Sequence, residues 1–269
     1  MIGRVLLVCV ALAMVLPAQA NIIDGTDDRG ALTELGPALG LSKDEIARIR
    51  RVSGYVGCLS PSPSVGSAAL FLANDQILTA AHILVEASGK RRSKCFFRAQ
   101  LPDAPRIDLL LDEGHVIMGA ATPKAGSNDD FAVVKLAAPV KGAEPFPVTN
   151  VPVKAGDRLI AITAHPAGME KVPNDIPVVQ ACTVRRVPKS SGRTNFYRSD
   201  CDATGASSGG MNLARVGGKL VWRGIFITTG PWRDPKFFGA PYNEAKGSVT
   251  TSLATDAAVL AAGKRLAGE

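Results

Sequence analysis

Ser208 stands in the run Thr204-Gly205-Ala206-Ser207-Ser208-Gly209-Gly210. Upstream lies Leu78-Thr79-Ala80-Ala81-His82, and between the two lies Asn128-Asp129-Asp130-Phe131-Ala132-Val133-Val134. In chain order these runs supply an imidazole, a carboxylate and a hydroxyl. A serine hydroxyl is a weak nucleophile near neutral pH. It needs an imidazole to take its proton and a carboxylate to hold that imidazole in the right tautomer. The chemistry would be attack of an activated oxygen on a carbonyl carbon.

Each member of the trio has a competitor. The chain has 3 His, and His115 and His165 lack the Thr-Ala-Ala lead, so His82 is the expected base, with His165 a loop residue near the cleft. Asp130 directly precedes an apolar run and can point inward, leaving Asp129 to solvent. Two glycines follow Ser208 and let the backbone turn tightly beneath an exposed hydroxyl, which favours Ser208 over Ser207 as the nucleophile.

The elements that must carry these residues are mostly strands. Ser42-Lys43-Asp44-Glu45 is a capping box, followed by an apolar stripe of Leu41, Ile46, Ile49 and Val52; it predicts a helix over Lys43–Arg51. Short Val-, Ile-, Phe- and Leu-rich runs then alternate with Gly, Pro, Asp and Ser. They predict strands at Tyr55–Leu59, Ala68–Leu72, Gln76–Thr79, Cys95–Leu101, His115–Met118 and Phe131–Leu136. A connection follows near Pro139–Gly156, then strands at Arg158–Thr163, Val178–Val187, Asn195–Ser199 and Leu220–Thr228. This spacing implies a sandwich or barrels rather than β-α units. A closing helix is expected from Leu253, Ala257, Leu260 and Ala261, behind caps at Thr251 and Ser252.

Residues 1–20 have the form of a removable leader: a positive start, the apolar run Val5–Leu16, and Ala18-Gln19-Ala20 as the cleavage signal. The alternative is an uncleaved anchor, although a bilayer span needs roughly 20 residues. A soluble mature chain starting at Asn21 outside the cytoplasm is expected, with no stable membrane anchor. Of 5 Cys, Cys9 would leave with the leader; Cys58, Cys95, Cys182 and Cys201 make an even set. Local pairing favours Cys58–Cys95 and Cys182–Cys201, each worth roughly 3–4 kcal/mol in the chain-entropy model. A zinc site is the rival reading, and no Cys-x-x-Cys or helically spaced His pair supports it. The chain carries 31 basic and 24 acidic residues, a net charge of +7. No basic run is long or interleaved with aromatics, so nucleic acid is not an expected partner. Lys90-Arg91-Arg92 is expected to be a solvated loop.

The three motifs together resemble the trypsin-like serine proteases of the chymotrypsin fold, closest in texture to bacterial secreted members such as the glutamyl endopeptidases. The run from Ile23 to Arg29 is similar to the mature start of that bacterial group. The resemblance implies an all-β chain of two antiparallel six-stranded barrels with a short N-terminal helix and a C-terminal helix. Its divisions are a leader at 1–20, an N-terminal segment at 21–52, a first barrel at 53–140, a second at 141–250, and a helical tail at 251–269. It implies a secreted or periplasmic serine endopeptidase acting on proteins or peptides without a cofactor or metal. His82 would be base, Asp130 orienter and Ser208 nucleophile, with the N–H groups of Ala206 and Ser208 facing the oxyanion. The alternative is a catalytically silent homologue that binds a protein partner.

The chain departs from the family pattern at Ala206, where Gly is usual; at Ser207, where trypsin-type enzymes have an aspartate that pairs with the freed amino terminus; and at Met211, where proline is usual. For substrate selection the resemblance implies Asp202, six residues before Ser208, as a pocket carboxylate; the alternative is a structural Asp202 beside Cys201. The opposing wall would be Ile227-Thr228-Thr229-Gly230, with Thr228 and Thr229 as contacts. Phe226 stands where the bacterial group has a histidine, so cleavage after Glu is not expected. Oligomeric state is left open by the sequence.

Overall fold

The computed structural model describes residues 20–101, 107–149, 151–164, 168–169, 171–189, 195–231 and 233–268. Residues 1–19 of the expected leader, and His165, lie outside the described residues. The chain opens with β1 (Ile22–Ile23), β2 (Gly30–Ala31), α1 (Leu32–Ala38) and α2 (Lys43–Val52). The capping box forms as its sequence dictates: the Ser42 hydroxyl accepts from Glu45 N at 3.2 Å, and the Glu45 carboxylate accepts from Ser42 N at 2.9 Å. Ile49 and Val52 are buried, as the stripe requires. Helix α1 was not foreseen, because Gly36 and Pro37 interrupt its pattern.

The first barrel comprises β3 (Ser53–Ser60), β4 (Ser64–Leu70), β5 (Gln76–Thr79), β6 (Ser93–Ala99), β7 (Ile107–Met118) and β8 (Ala132–Leu136), closed in the order β3-β4-β5-β8-β7-β6. Cys58 and Cys95 are directly opposed in the β3–β6 register and are bonded. The second barrel comprises β9 (Arg158–Thr163), β10 (Val178–Arg186), β11 (Phe196–Ser199), β12 (Met211–Val216), β13 (Lys219–Thr229) and β15 (Thr250–Ala254). Its order is β11-β15-β13-β12-β9-β10; β10 pairs back onto β11 to close it, and β2 adds to the outside of β10. Strand β14 (Phe238–Ala240) pairs in parallel with β1. Cys182 and Cys201 are bonded.

Two assignments need correction. The segment Thr250–Ala254 is a buried strand, not the cap of a helix. Helix α3 (Ala257–Ala267) starts behind Asp256, whose carboxylate accepts from Ala258 N at 3.1 Å. Strand β12 was missed because Asn212 breaks its apolar pattern. Inside the barrel its Nδ2 donates to Tyr197 Oη at 2.8 Å and Ser252 Oγ at 2.9 Å, so the donor side of the amide is met in a central strand, while Oδ1 has no partner among the described residues.

The larger core cluster reaches into both barrels, from Val56, Phe97 and Val133 to Ile162, Met211 and Leu213, and a second cluster around Leu159, Val184, Tyr197 and Phe226 lies in the second barrel. Trp222 meets Phe71 edge-on at 5.2 Å across the seam. Helix α3 packs back onto β7 and β8 of the first barrel. No helix of the described residues is long and apolar enough to cross a membrane.

Candidate active site

His82 lies in a one-turn 3-10 segment, Ala81–Ile83, directly after β5. The residues of its motif each have a local task. The Thr79 hydroxyl donates to the Ser67 carbonyl at 2.8 Å. Ala80 and Ala81 are fully buried. The Asp130 side chain is 0% exposed, at the mouth of β8, and has three partners. Oδ1 accepts from His82 N at 2.9 Å; Oδ2 lies 2.8 Å from His82 Nδ1 and accepts from Gly126 N at 2.7 Å. Three charge-assisted contacts offset the desolvation of this carboxylate. They also hold His82 by its backbone and its ring. With Nδ1–H directed at Asp130, the lone pair of the neutral imidazole is at Nε2. The ring is 26% exposed, so it is reachable from the cleft. Asp129, expected at the solvent, is half-buried, and its Oδ1 has no hydrogen-bond partner among the described residues.

Ser207 and Ser208 differ in use. Ser207 is buried and its hydroxyl accepts from Thr204 N at 3.1 Å, knitting the loop. Ser208 is half-buried. Its carbonyl accepts from Ser67 N of β4 at 2.7 Å. The Ser67 hydroxyl donates to the Ala206 carbonyl at 3.1 Å and accepts from Ala164 N at 3.0 Å. On the other side Gly209 N donates to Phe226 O at 2.7 Å and Phe226 N to Gly210 O at 3.0 Å. The Ser208 loop is thus pinned to a strand of each barrel.

Two glycines permit this approach. A Cβ on Gly66 would meet the Ile83 side chain and come within 2.9 Å of Ser208 O, so residue 66 is the narrow partition between the His82 turn and Ser208. A Cβ on Gly209, at φ +81°, would run into the Ser67 carbonyl and the Thr79 hydroxyl. Among the described residues no hydrogen bond joins the Ser208 hydroxyl to the His82 ring. Such bonds are commonly long without substrate.

Sequence reasoning missed Ser67, which carried no signal beyond being a polar residue at the edge of an apolar run. It also missed Arg92. That residue is half-buried rather than solvated, and donates to Ser62 O at 3.1 Å and to His82 O at 3.3 Å.

Ala206 adopts φ 79°, the left-handed region its departure from Gly forecast. For a residue with a Cβ this conformation costs roughly 1–2 kcal/mol, part of which Gly would lose again through its freer unfolded chain. Ala206→Gly should therefore raise stability by about 0.5–1 kcal/mol, or roughly 1–3 °C in Tm, without lowering turnover. Calorimetry checks this; a lower Tm would mean that the methyl group contributes packing that outweighs its strain.

Asp202 is buried. Its Oδ1 accepts from Ile23 N at 2.8 Å and its Oδ2 from Asp28 N at 2.9 Å, while Gln180 brackets its backbone. It is the structural pin of the amino-terminal segment. Thr228 and Thr229 point to opposite sides, as alternation along a strand requires. Thr228 is exposed and lies against Gly126, the donor to Asp130. Thr229 instead accepts from Asn21 Nδ2 at 2.9 Å.

Burial pushes the Asp202 carboxyl up from 3.8 to about 7; the N–H donors of Asp28 and Ile23 and the nearby Arg29 oppose this, and the Asp27 charge adds to it. Between these values the folded chain holds a proton that the unfolded chain has released. Raising the pH through that window therefore lowers stability, by up to about 1.4 kcal/mol per pH unit from this group. Denaturant titrations of Asp202→Asn should lack that component, so the wild-type minus variant difference falls from pH 4 to 7. A pH-independent difference would show the carboxyl to be ionised throughout.

The four cysteines outside the leader are all disulfide-bonded. Among the described residues no group of three or more His, Cys, Asp or Glu is placed to hold a metal.

The model of the trypsin-like peptidase domain family matches residues 66–221, more than half of the chain. Among solved structures, a Glu endopeptidase bound to MPD superposes with a TM-score of 0.66 at 14% identity, covering 92% of this chain and 100% of its own. The protease Anisep from Arthrobacter nicotinovorans superposes with a TM-score of 0.56 at 15% identity, over 81% of this chain and 96% of its own. A thermostable serine protease from an extremophilic microorganism gives 0.58 at 15% identity, over 82% and 100%. A comparison with curated proteins finds no match.

Proposed function

We propose, since this chain belongs to the trypsin-like peptidase domain family, that it is a serine endopeptidase working through His82, Asp130 and Ser208. The observation that carries the reading is the double grip of one buried carboxylate on His82, at backbone and ring, beside a serine loop anchored to both barrels. Structural stability alone does not require an imidazole, a buried carboxylate and a half-exposed serine at one seam.

In this mechanism His82 Nε2 removes the Ser208 proton as Oγ attacks the peptide carbonyl carbon. Asp130 stabilises the imidazolium. The N–H groups of Ala206 and Ser208 donate to the oxyanion, each donor being worth about 10²–10³ in rate. The imidazolium then protonates the leaving amine, and water, deprotonated by the same ring, hydrolyses the acyl-enzyme. The reaction needs no cofactor, and its substrates are proteins or peptides. The divisions at residues 20, 52, 140 and 250 remain part of this proposal, with the strand at Thr250–Ala254 extending the second barrel past the last of them. Two disulfides and the leader-like residues 1–20 support secretion or a periplasmic location.

An organophosphate active-site probe tests the reading. Labelling of wild type and not of Ser208→Ala supports it. No labelling of folded, disulfide-bonded protein would favour a silent homologue that binds a partner through the same cleft.

A further inference from the structure

Two segments flank the Ser208 loop as its walls: residues 202–206 lead into it, and residues 226–230 are tied to it through Phe226. Asn21 crosses from one wall to the other. Its backbone pairs with Ala203 in both directions, at 2.9 and 3.1 Å. Its side chain reaches the opposite wall, where Nδ2 donates to Thr229 Oγ1 at 2.9 Å and to Val249 O at 3.4 Å. Thr229 Oγ1 in turn lies 3.0 Å from Thr250 Oγ1. Asn21 and Thr250 are both 0% exposed. Gly230 N donates to Val249 O at 3.0 Å, and a Cβ on Gly230 would strike the Gly247 carbonyl, so the second wall and its neighbouring strand are in direct contact.

We infer that Asn21, Thr229 and Thr250 form a hydrogen-bonded floor that makes the pocket for the residue before the scissile bond shallow, so that the protease selects Gly, Ala or Ser there. The inference rests on the protease reading above and names the substrate class of that same site. A long side chain would have to push the Thr229 hydroxyl off both partners and leave the buried Asn21 Nδ2 with only its longer contact to Val249 O, which a buried polar group resists. Neither position 202 nor position 226 offers a charge to a long side chain. Both Asp202 oxygens are taken by Ile23 N and Asp28 N, so Lys and Arg find no carboxylate. Phe226 is apolar and fully buried, so Glu finds no cation from that position.

The test is the cleavage profile of the full-length, processed protein on a peptide library, read by mass spectrometry, for wild type, Thr229→Gly, Thr229→Ser and Asn21→Ala. Wild type should cut after Gly, Ala or Ser roughly 100-fold more efficiently than after Leu, Phe, Lys, Arg or Glu. Thr229→Gly and Asn21→Ala should raise kcat/KM for Leu relative to Ala at least about tenfold. Thr229→Ser, which keeps the hydroxyl, should stay within about threefold of wild type. A wild-type preference for large residues overturns the inference even if no variant folds; so does an unchanged profile in folded Thr229→Gly. Labelling of Ser208 by a small fluorophosphonate, run in parallel, separates the two levels. Labelled protein with a large-residue preference sinks the floor and leaves the protease. Protein that neither labels nor cuts overturns both.

Discussion

Ser208→Ala should abolish turnover, lowering kcat by about 10⁵–10⁶, while leaving folding intact. The hydroxyl is half-buried and makes no hydrogen bond among the described residues, so its loss removes no structural contact. What holds the loop is the backbone, through Ser67 N to Ser208 O and through Phe226, and the alanine keeps every one of those bonds. Tm should therefore move by less than about 2 °C, as for a surface substitution away from special features. Residual cleavage about 10³–10⁴-fold above the uncatalysed rate should persist from the oxyanion donors and substrate binding. Single-turnover kinetics on a cleavable peptide, beside a melting curve, measures both quantities. A variant that keeps more than about a tenth of wild-type kcat would exclude Ser208 as the nucleophile.

Asp130→Asn should act differently, because it alters both the ring and the fold around it. An asparagine oxygen can still accept from His82 N. Its amide nitrogen then faces His82 Nδ1 and Gly126 N, both of which now meet a carboxylate oxygen. The –NH₂ group forces Nδ1 to accept, so the proton moves to Nε2 and the base is lost. The expected fall in kcat is about 10⁴. The Gly126 N–H is left against another donor, which should destabilise the fold by about 1–3 kcal/mol. The double variant Ser208→Ala/Asp130→Asn should be no slower than Ser208→Ala alone, since residues acting as one unit are not additive. Independent, multiplying losses would contradict a shared mechanism. Denaturation of Asp130→Asn by urea gives the stability change separately.

Some of this was legible from residue order. The capping box at Ser42, the strand-rich texture and the local cysteine pairing follow from short-range rules, and the described residues form those elements as the rules require. The strand at Thr250–Ala254 was hidden because Thr and Ser also favour helix caps; only its position between β11 and β13 makes it a strand. Asp202 was ambiguous for a similar reason. Six residues before a serine, a carboxylate suits a substrate pocket or a structural anchor, and its partners, Ile23 and Asp28, lie more than 170 positions away.

By itself the sequence determined the inventory: which groups can do acyl-transfer chemistry, in which order, and which short elements they occupy. Those follow from chemistry and periodicity within a few residues of each group. The tertiary structure alone decided which of them meet. Ser67 holding the Ser208 loop, Asp130 gripping His82 across 48 positions, and Asn21 bridging two walls are all contacts between segments far apart in the chain. Their geometry comes from closing two sheets and packing them on a common core, and no local pattern encodes the distance that such closure leaves between side chains.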